Sequence, residues 1–219
     1  MAAMCSWNDT QAERESWCGM LAAGWLLFAI TCGCSGGPPA LTPPDLQPES
    51  AADGAIALYD KDGSGDLSTE ELEACPGVLG ALGAYDQNDD KKVTRDEFVA
   101  RLNRFASSRV ALTQLIAIVY LDQRPLEGAT VRLVPEPYFE GAIKPATCTT
   151  GQSGSGMLDV DDSELPSNQA GMVGVQLGTY RVEITHPEIS IPAKFNVDTK
   201  LGYDSQPGNL SVKFHITSK

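Results

Sequence analysis

DKDGSGDLSTEE, Asp60 through Glu71, is the stretch whose spacing decides how the chain is read. Its positions 1, 3, 5, 7, 9 and 12 are Asp60, Asp62, Ser64, Asp66, Ser68 and Glu71, each able to offer an oxygen. A hard divalent cation takes six to eight oxygens, and a twelve-residue loop can supply them from these positions. Gly65 stands at position 6, where the chain must turn sharply and a positive φ carries no steric penalty for glycine. In such a loop Asp66 gives its main-chain carbonyl, Ser68 acts directly or through water, and Glu71 closes the site with two oxygens. Ser64 occupies a place where Asp or Asn is usual, keeping an oxygen but losing a charge.

Downstream, DQNDDKKVTRDE, Asp86 through Glu97, puts Asp86, Asn88, Asp90, the Lys92 carbonyl, Thr94 and Glu97 on the same positions. Position 6 is here Lys91, and a left-handed backbone costs a non-glycine residue roughly 1–2 kcal/mol. Lys91 and Lys92 also place positive charge beside the cation, so the second loop is expected to bind more weakly than the first. Two such loops in register, each followed by helix-forming sequence, go beyond a chance spacing of solvated acids. The pair resembles an EF-hand pair. That resemblance implies Ca2+ as the ion and a short β-bridge between the loops at Leu67 and Val93, the apolar residues at position 8 of each.

Around these loops, 219 residues leave room for two small domains and tails. A hydrophobic content of 42% is enough to build cores. The net charge of −13 and a pI near 4.5 leave no basic stripe to neutralise phosphates, which argues against a nucleic-acid partner. With only 2 histidines, His186 and His215, a histidine-rich transition-metal site is not expected. Cys5, Cys18, Cys32 and Cys34 fall in the N-terminal segment. Cys75 and Cys148 lie in different expected domains and are read as free thiols, with a bridge between them as the alternative.

Trp17 to Thr31 is an apolar run of signal-peptide length, short for a spanning helix. A cysteine pair and a Gly/Pro/Ser-rich tether follow, and this resembles the end of a bacterial lipoprotein signal. Cys34, between Gly33 and Ser35, is the first choice for the lipidated residue and Cys32 the second. An uncleaved anchor and plain secretion remain the alternatives.

Helical period begins near Ala51, breaks at Pro76-Gly77, and continues past the second loop through Phe98, Leu102 and Phe105. Arg101 and Arg104 suit the C-terminal end of that helix. Strand-like spacing starts at Val110 and continues to Leu121. Further strands are expected at 129–134, 156–160, 179–185, 189–195 and 210–217, separated by Gly/Pro turns. Pro125, Leu126, Gly128, Ala129 and Val131, then Gly154 or Gly156, then Gly178, Tyr180, Val182 and Ile184 resemble the carboxypeptidase-regulatory-like or transthyretin-like sandwich. The resemblance gives these residues structural roles and no chemistry.

The expected fold class is therefore a multidomain α and β chain. It comprises a signal over 1–34, a tether over 35–50, a small helical EF-hand pair over 51–108 and a β-sandwich of transthyretin-like or Ig-like form over 109–219. No nucleophile elbow, metalloprotease helix or phosphate loop is present. The expected function is calcium binding in a non-enzymatic, membrane-anchored lipoprotein of the cell envelope, with an envelope protein or glycan as the further partner. The alternative is an enzyme or carbohydrate-binding protein using the acidic sandwich end at Asp159, Asp161, Asp162 and Glu164.

Overall fold

The computed structural model describes residues 41–219. The signal-like segment, Cys32, Cys34 and the start of the tether lie outside the described residues. The chain enters helix α1 at Pro48–Tyr59, three residues before the periodicity of the sequence begins, because proline is well placed at a first helical turn. Ala51, Ala52, Ala55 and Tyr59 form its buried face, while Leu58, an apolar residue of the same stretch, points to solvent. The first loop follows and leads into strand β1 (Asp66–Ser68) and helix α2 (Thr69–Leu72). Two further single-turn helices, α3 (Pro76–Leu79) and α4 (Leu82–Tyr85), connect to the second loop. After that come β2 (Lys92–Thr94) and α5 (Arg95–Ser107), whose Phe98, Leu102 and Phe105 face α1 and the core.

Two sheets make up the rest, in a sandwich-like arrangement. One is five-stranded, in the order β10 (Gly202–Ser205), β9 (Gly178–Thr185), β5 (Thr130–Pro135), β6 (Ala146–Thr149), β8 (Asp159–Val160), all antiparallel. The other centres on β3 (Ile116–Leu121). The last strand, β11 (Ser211–Ile216), runs parallel to it, while β7 (Ser155–Met157) and β4 (Arg124–Pro125) pair antiparallel to its first and last residues. Val131, Leu133, Val182 and Ile184 from the first sheet and Ala117, Val119, Phe214 and Ile216 from the second are buried, the inward half of each alternation.

Three expectations need correction. Ile189–Phe195 is not a strand but a loop ending in a turn of 3-10 helix at Ala193–Phe195, since Pro187 just before it and Pro192 within it deny ladder donors. The strand-like run from Val110 pairs continuously only from Ile116; upstream there is a single bridge, Thr113 to Val175. Arg101, expected at the C-terminal end of its helix, lies in the middle of α5, buried and ion-paired with Asp204 of β10.

The change from helix to strand near residue 108 does not divide the core. Helix α3 lies on β9 and β10, and an aromatic chain runs from the helices into the sheet layer. Tyr85 meets Phe98 at 5.0 Å, Phe98 meets Tyr138 edge-on at 5.1 Å, and Tyr138 meets Phe139 at 4.6 Å. One continuous set of buried residues extends from Ala51 to Ile216. Cys75 and Cys148 are both buried free thiols within it. Among the described residues no helix is long and apolar enough to cross a membrane.

Candidate metal centre

Loop one is built outward from Asp60, the residue that ends α1, its own N–H still bonded to the Ile56 carbonyl. Its carboxylate accepts from three main-chain donors, Gly63 N–H at 2.7 Å, Ser64 N–H at 3.2 Å and Gly65 N–H at 2.8 Å. The Gly65 bond is the first cause holding the Asp60 carboxyl below its ordinary range. Gly63 and Gly65 have φ of 76° and 83°, so the loop wraps round that carboxylate through two left-handed residues.

At the far end, Ser68 caps α2. Its hydroxyl accepts from the Glu71 N–H, while Glu71 Oε2 accepts from Ser68 N–H at 2.9 Å. Oε1 of Glu71 accepts from Lys61 N–H at 2.7 Å and so ties the end of the loop to its beginning. The main-chain N–H of Ser68, then that of Lys61, hold the Glu71 carboxyl down to about 2. Positions 9 and 12 thus serve also as N-cap and third residue of the following helix. Glu71 Oε1 and Asp60 Oδ2, each engaged by one main-chain N–H, retain a second lone pair. Asp60, Asp62 and Glu71 bring one oxygen each to within 4.8 Å of one another, the one group of three or more His, Cys, Asp or Glu so gathered among the described residues.

The second loop repeats this scaffold. Asp86 ends α4 with its N–H on the Leu82 carbonyl, and its carboxylate accepts from Asp90 N–H at 3.2 Å and Lys91 N–H at 2.8 Å. Glu97 accepts from Gln87 N–H and Thr94 N–H, both at 2.9 Å, and Thr94 caps α5 as Ser68 caps α2. The left-handed places of the first loop recur here with side chains, Asp89 at φ 61° and Lys91 at φ 66°. The loop carboxylates do not gather as the first set does, and the Asn88 amide nitrogen instead donates to Asp90 Oδ2 at 3.0 Å.

β1 and β2 join the loops, with Leu67 opposite Val93 and both fully buried. Thr69 Oγ1 adds a bond to the Lys91 carbonyl at 3.0 Å. Lys92, whose charge was expected to act on the second loop, reaches across instead: its ammonium lies 2.9 and 3.2 Å from the two carboxylate oxygens of Asp66 in the first. The bond to Asp66 raises the Lys92 pKa. Ser64 and Ser68 are likewise engaged, Ser64 Oγ donating to the Asp66 carbonyl at 3.1 Å and Ser68 Oγ to Glu71 at 2.8 Å.

No family model matches the chain, and no curated protein matches it. The site must be judged on its own chemistry. Its donors are carboxylates, hydroxyls, a side-chain amide and main-chain carbonyls, a hard oxygen set with no nitrogen or sulfur ligand, and they fit Ca2+.

The acids at the sandwich end and both histidines have local structural partners. Asp159 accepts from Gly174 N–H, Asp161 from Ser163 N–H and Asp162 from Gly171 N–H, so each pins a turn at the sandwich end. His186 Nδ1 accepts from Glu188 and Ile189 N–H at 3.0 Å, so Nε2 donates to the Glu127 carbonyl at 2.9 Å. His215 stacks on Tyr120 at 4.9 Å. Tyr180 is wholly buried and donates to the Gln176 carbonyl.

Sequence reading passed over the groups that bind the loops' scaffold to the sheets. Glu136, between Pro135 and Pro137, is 1% exposed and accepts from Gly77 N–H at 2.9 Å and from Tyr59 Oη at 3.3 Å. The only signal was a carboxylate bracketed by prolines at a strand end. Gly80 and Gly202 let the end of α3 and β10 touch backbone to backbone, and Gly77 admits Glu136 and the Tyr180 carbonyl of β9.

Proposed function

We propose that the two loops bind Ca2+ as an EF-hand pair, within a membrane-anchored, non-enzymatic envelope lipoprotein whose transthyretin-like sandwich is a binding or structural module. The carrying observation is the convergence of Asp60, Asp62 and Glu71 in a loop whose main chain is already wound around Asp60. Ser64, the Asp66 carbonyl and Ser68 complete the first donor set. Asp86, Asn88, Asp90, the Lys92 carbonyl, Thr94 and Glu97 form the second. The anchor through Cys34, or Cys32, rests on sequence alone. Support for a module without catalysis comes from the sandwich-end acids, whose oxygens serve their own turns.

Calorimetric titration of the full chain is expected to show two calcium events, Glu71→Ala removing the tighter. Lys91→Gly should strengthen the weaker by releasing backbone strain of about 1 kcal/mol. An extracellular site works at Kd of about 10⁻⁴–10⁻³ M. At calcium 100-fold above Kd, linkage adds about 2.7 kcal/mol and raises Tm by several degrees. An unmoved Tm, or a tight event surviving in Glu71→Ala, defeats the calcium reading.

The cross-loop lysine gives a further expectation. Lys92→Gln removes a cation from Asp66 and should tighten the first loop by about two- to fivefold at low salt, the gain shrinking as ionic strength rises. A gain confined to the second loop would contradict the geometry.

A further inference from the structure

Each loop is held at both ends by a single buried carboxylate of the sheet layer. Tyr59 immediately precedes Asp60 and is buried, with its hydroxyl on Glu136. The chain leaving the same loop returns to Glu136 through the Gly77 N–H. In the second loop Tyr85 immediately precedes Asp86 and is fully buried. Its hydroxyl lies 2.5 Å from Thr179 Oγ1, which donates in turn to Asp204 Oδ1 at 3.4 Å. The helix leaving that loop returns to Asp204 through Arg101, one turn beyond Glu97.

The two arrangements use different side chains, and their backbones meet where the Glu136 N–H donates to the Thr179 carbonyl at 3.1 Å. One uses Glu136 beyond β5, the other Thr179 of β9 and Asp204 of β10. Yet each joins the residue before position 1 to a group shortly after position 12, the two points whose separation fixes how far apart the first and last ligands stand. A loop ligand set works only when its members are held to within about half an ångström of the productive arrangement, and buried second partners supply that constraint.

We propose that Glu136 and Asp204 are positioning residues for the metal loops, one each, Glu136 acting through Tyr59 and Gly77 and Asp204 through Tyr85 and Arg101. The inference rests on the calcium reading of the loops and adds that the sheet layer sets their affinity loop by loop. The helical pair has its own sandwich as a resident partner, held by polar groups as well as by apolar packing.

The test uses the full chain and two amide resonances, Gly65 for the first loop and Lys91 for the second, followed by NMR during calcium titration. Removing one buried hydroxyl bond should weaken the affected loop by about fivefold. Tyr59→Phe is expected to do so at Gly65 and leave Lys91 within about twofold, whereas Tyr85→Phe does the reverse. Glu136→Gln, whose amide oxygen keeps the acceptor for the Gly77 N–H while its NH2 meets the Tyr59 hydroxyl as a donor, should be milder than Tyr59→Phe. Amide exchange in the metal-free chain supplies a second reading, Gly65 losing protection in Tyr59→Phe alone and Lys91 in Tyr85→Phe alone. Equal weakening of both loops by either variant, or equal loss of protection, is the mark of general destabilisation and overturns the proposal. If wild type gives no calcium shift at either amide, the calcium reading falls, and the selectivity of metal-free exchange alone decides whether Glu136 and Asp204 position the loops.

Discussion

Gly202→Ala is expected to destabilise the chain by about 3 kcal/mol, at the upper end of what overpacking does. A Cβ on Gly202 would fall inside the Pro76 carbonyl and 2.6 Å from the Gly77 nitrogen. Both are main-chain atoms, so no rotamer change gives relief, and α3 must lift from β10. Lifting withdraws the Gly77 N–H from Glu136 and leaves a buried carboxylate short of a donor, adding to the steric term. Gly83→Ala is the control, since that glycine lies in α4 with nothing within 4 Å of its would-be Cβ, and alanine there should stabilise by up to about 1 kcal/mol. Urea unfolding measures both. A Gly202→Ala midpoint equal to that of wild type would show that the backbone contact between α3 and β10 is not a fixed feature of the fold.

Glu136→Gln should change how stability depends on pH. Burial, the dominant cause, raises the Glu136 carboxyl from its ordinary 4.5 to about 7, against the opposing pull of the Gly77 N–H, the Arg181 guanidinium at 3.7 Å and the Tyr59 hydroxyl. The neighbouring Cys75 thiol is itself pushed well up by burial and stays neutral. A raised carboxyl pKa means that the folded state holds the proton more tightly. The associated stability is complete below pH 4.5 and is lost as pH climbs through 7. A shift of this size amounts to about 3 kcal/mol. Wild type should therefore lose stability between pH 5 and 8 relative to Glu136→Gln, whose glutamine does not titrate. The depressed Glu71 carboxyl acts with opposite sign in a lower window, its contribution disappearing as pH falls from 4.5 toward 2. Parallel melting profiles for the two proteins from pH 5 to 8 would refute the assignment.

What could be read from sequence was what depends on short spacing. The loops are local: oxygen-bearing residues at alternate positions and a turn at the sixth are visible without knowing what lies nearby. β5 and β9 were legible because Val131 and Leu133, and Tyr180, Val182 and Ile184, alternate in register with a single buried face. β6 and β10, ATCT and GYDS, were not, because short polar strands take their place from neighbours rather than from their own pattern. Lys92 was assigned to the wrong loop for the same reason. Its side chain is governed by the cross-strand pairing of β1 and β2, which brings Asp66 within reach. Pro76-Gly77 was legible as a helix break but not as a docking point, since its purpose lies in Gly202, far along the chain.

The parallel pairing of β11 with β3 also bears on the order of assembly. Ile116 meets Ser211, so the central strand of the second sheet waits for residues synthesised long after it. The two acidic loops leave the ribosome early, whereas Thr179 and Asp204 follow much later. A nascent chain ending near residue 160 therefore carries both acidic loops but, of the two buried carboxylates behind them, only Glu136. Long-range closure of this kind slows folding. Until β9 and β10 arrive, the second loop has no anchor for Tyr85 or Arg101, and its scaffold matures last.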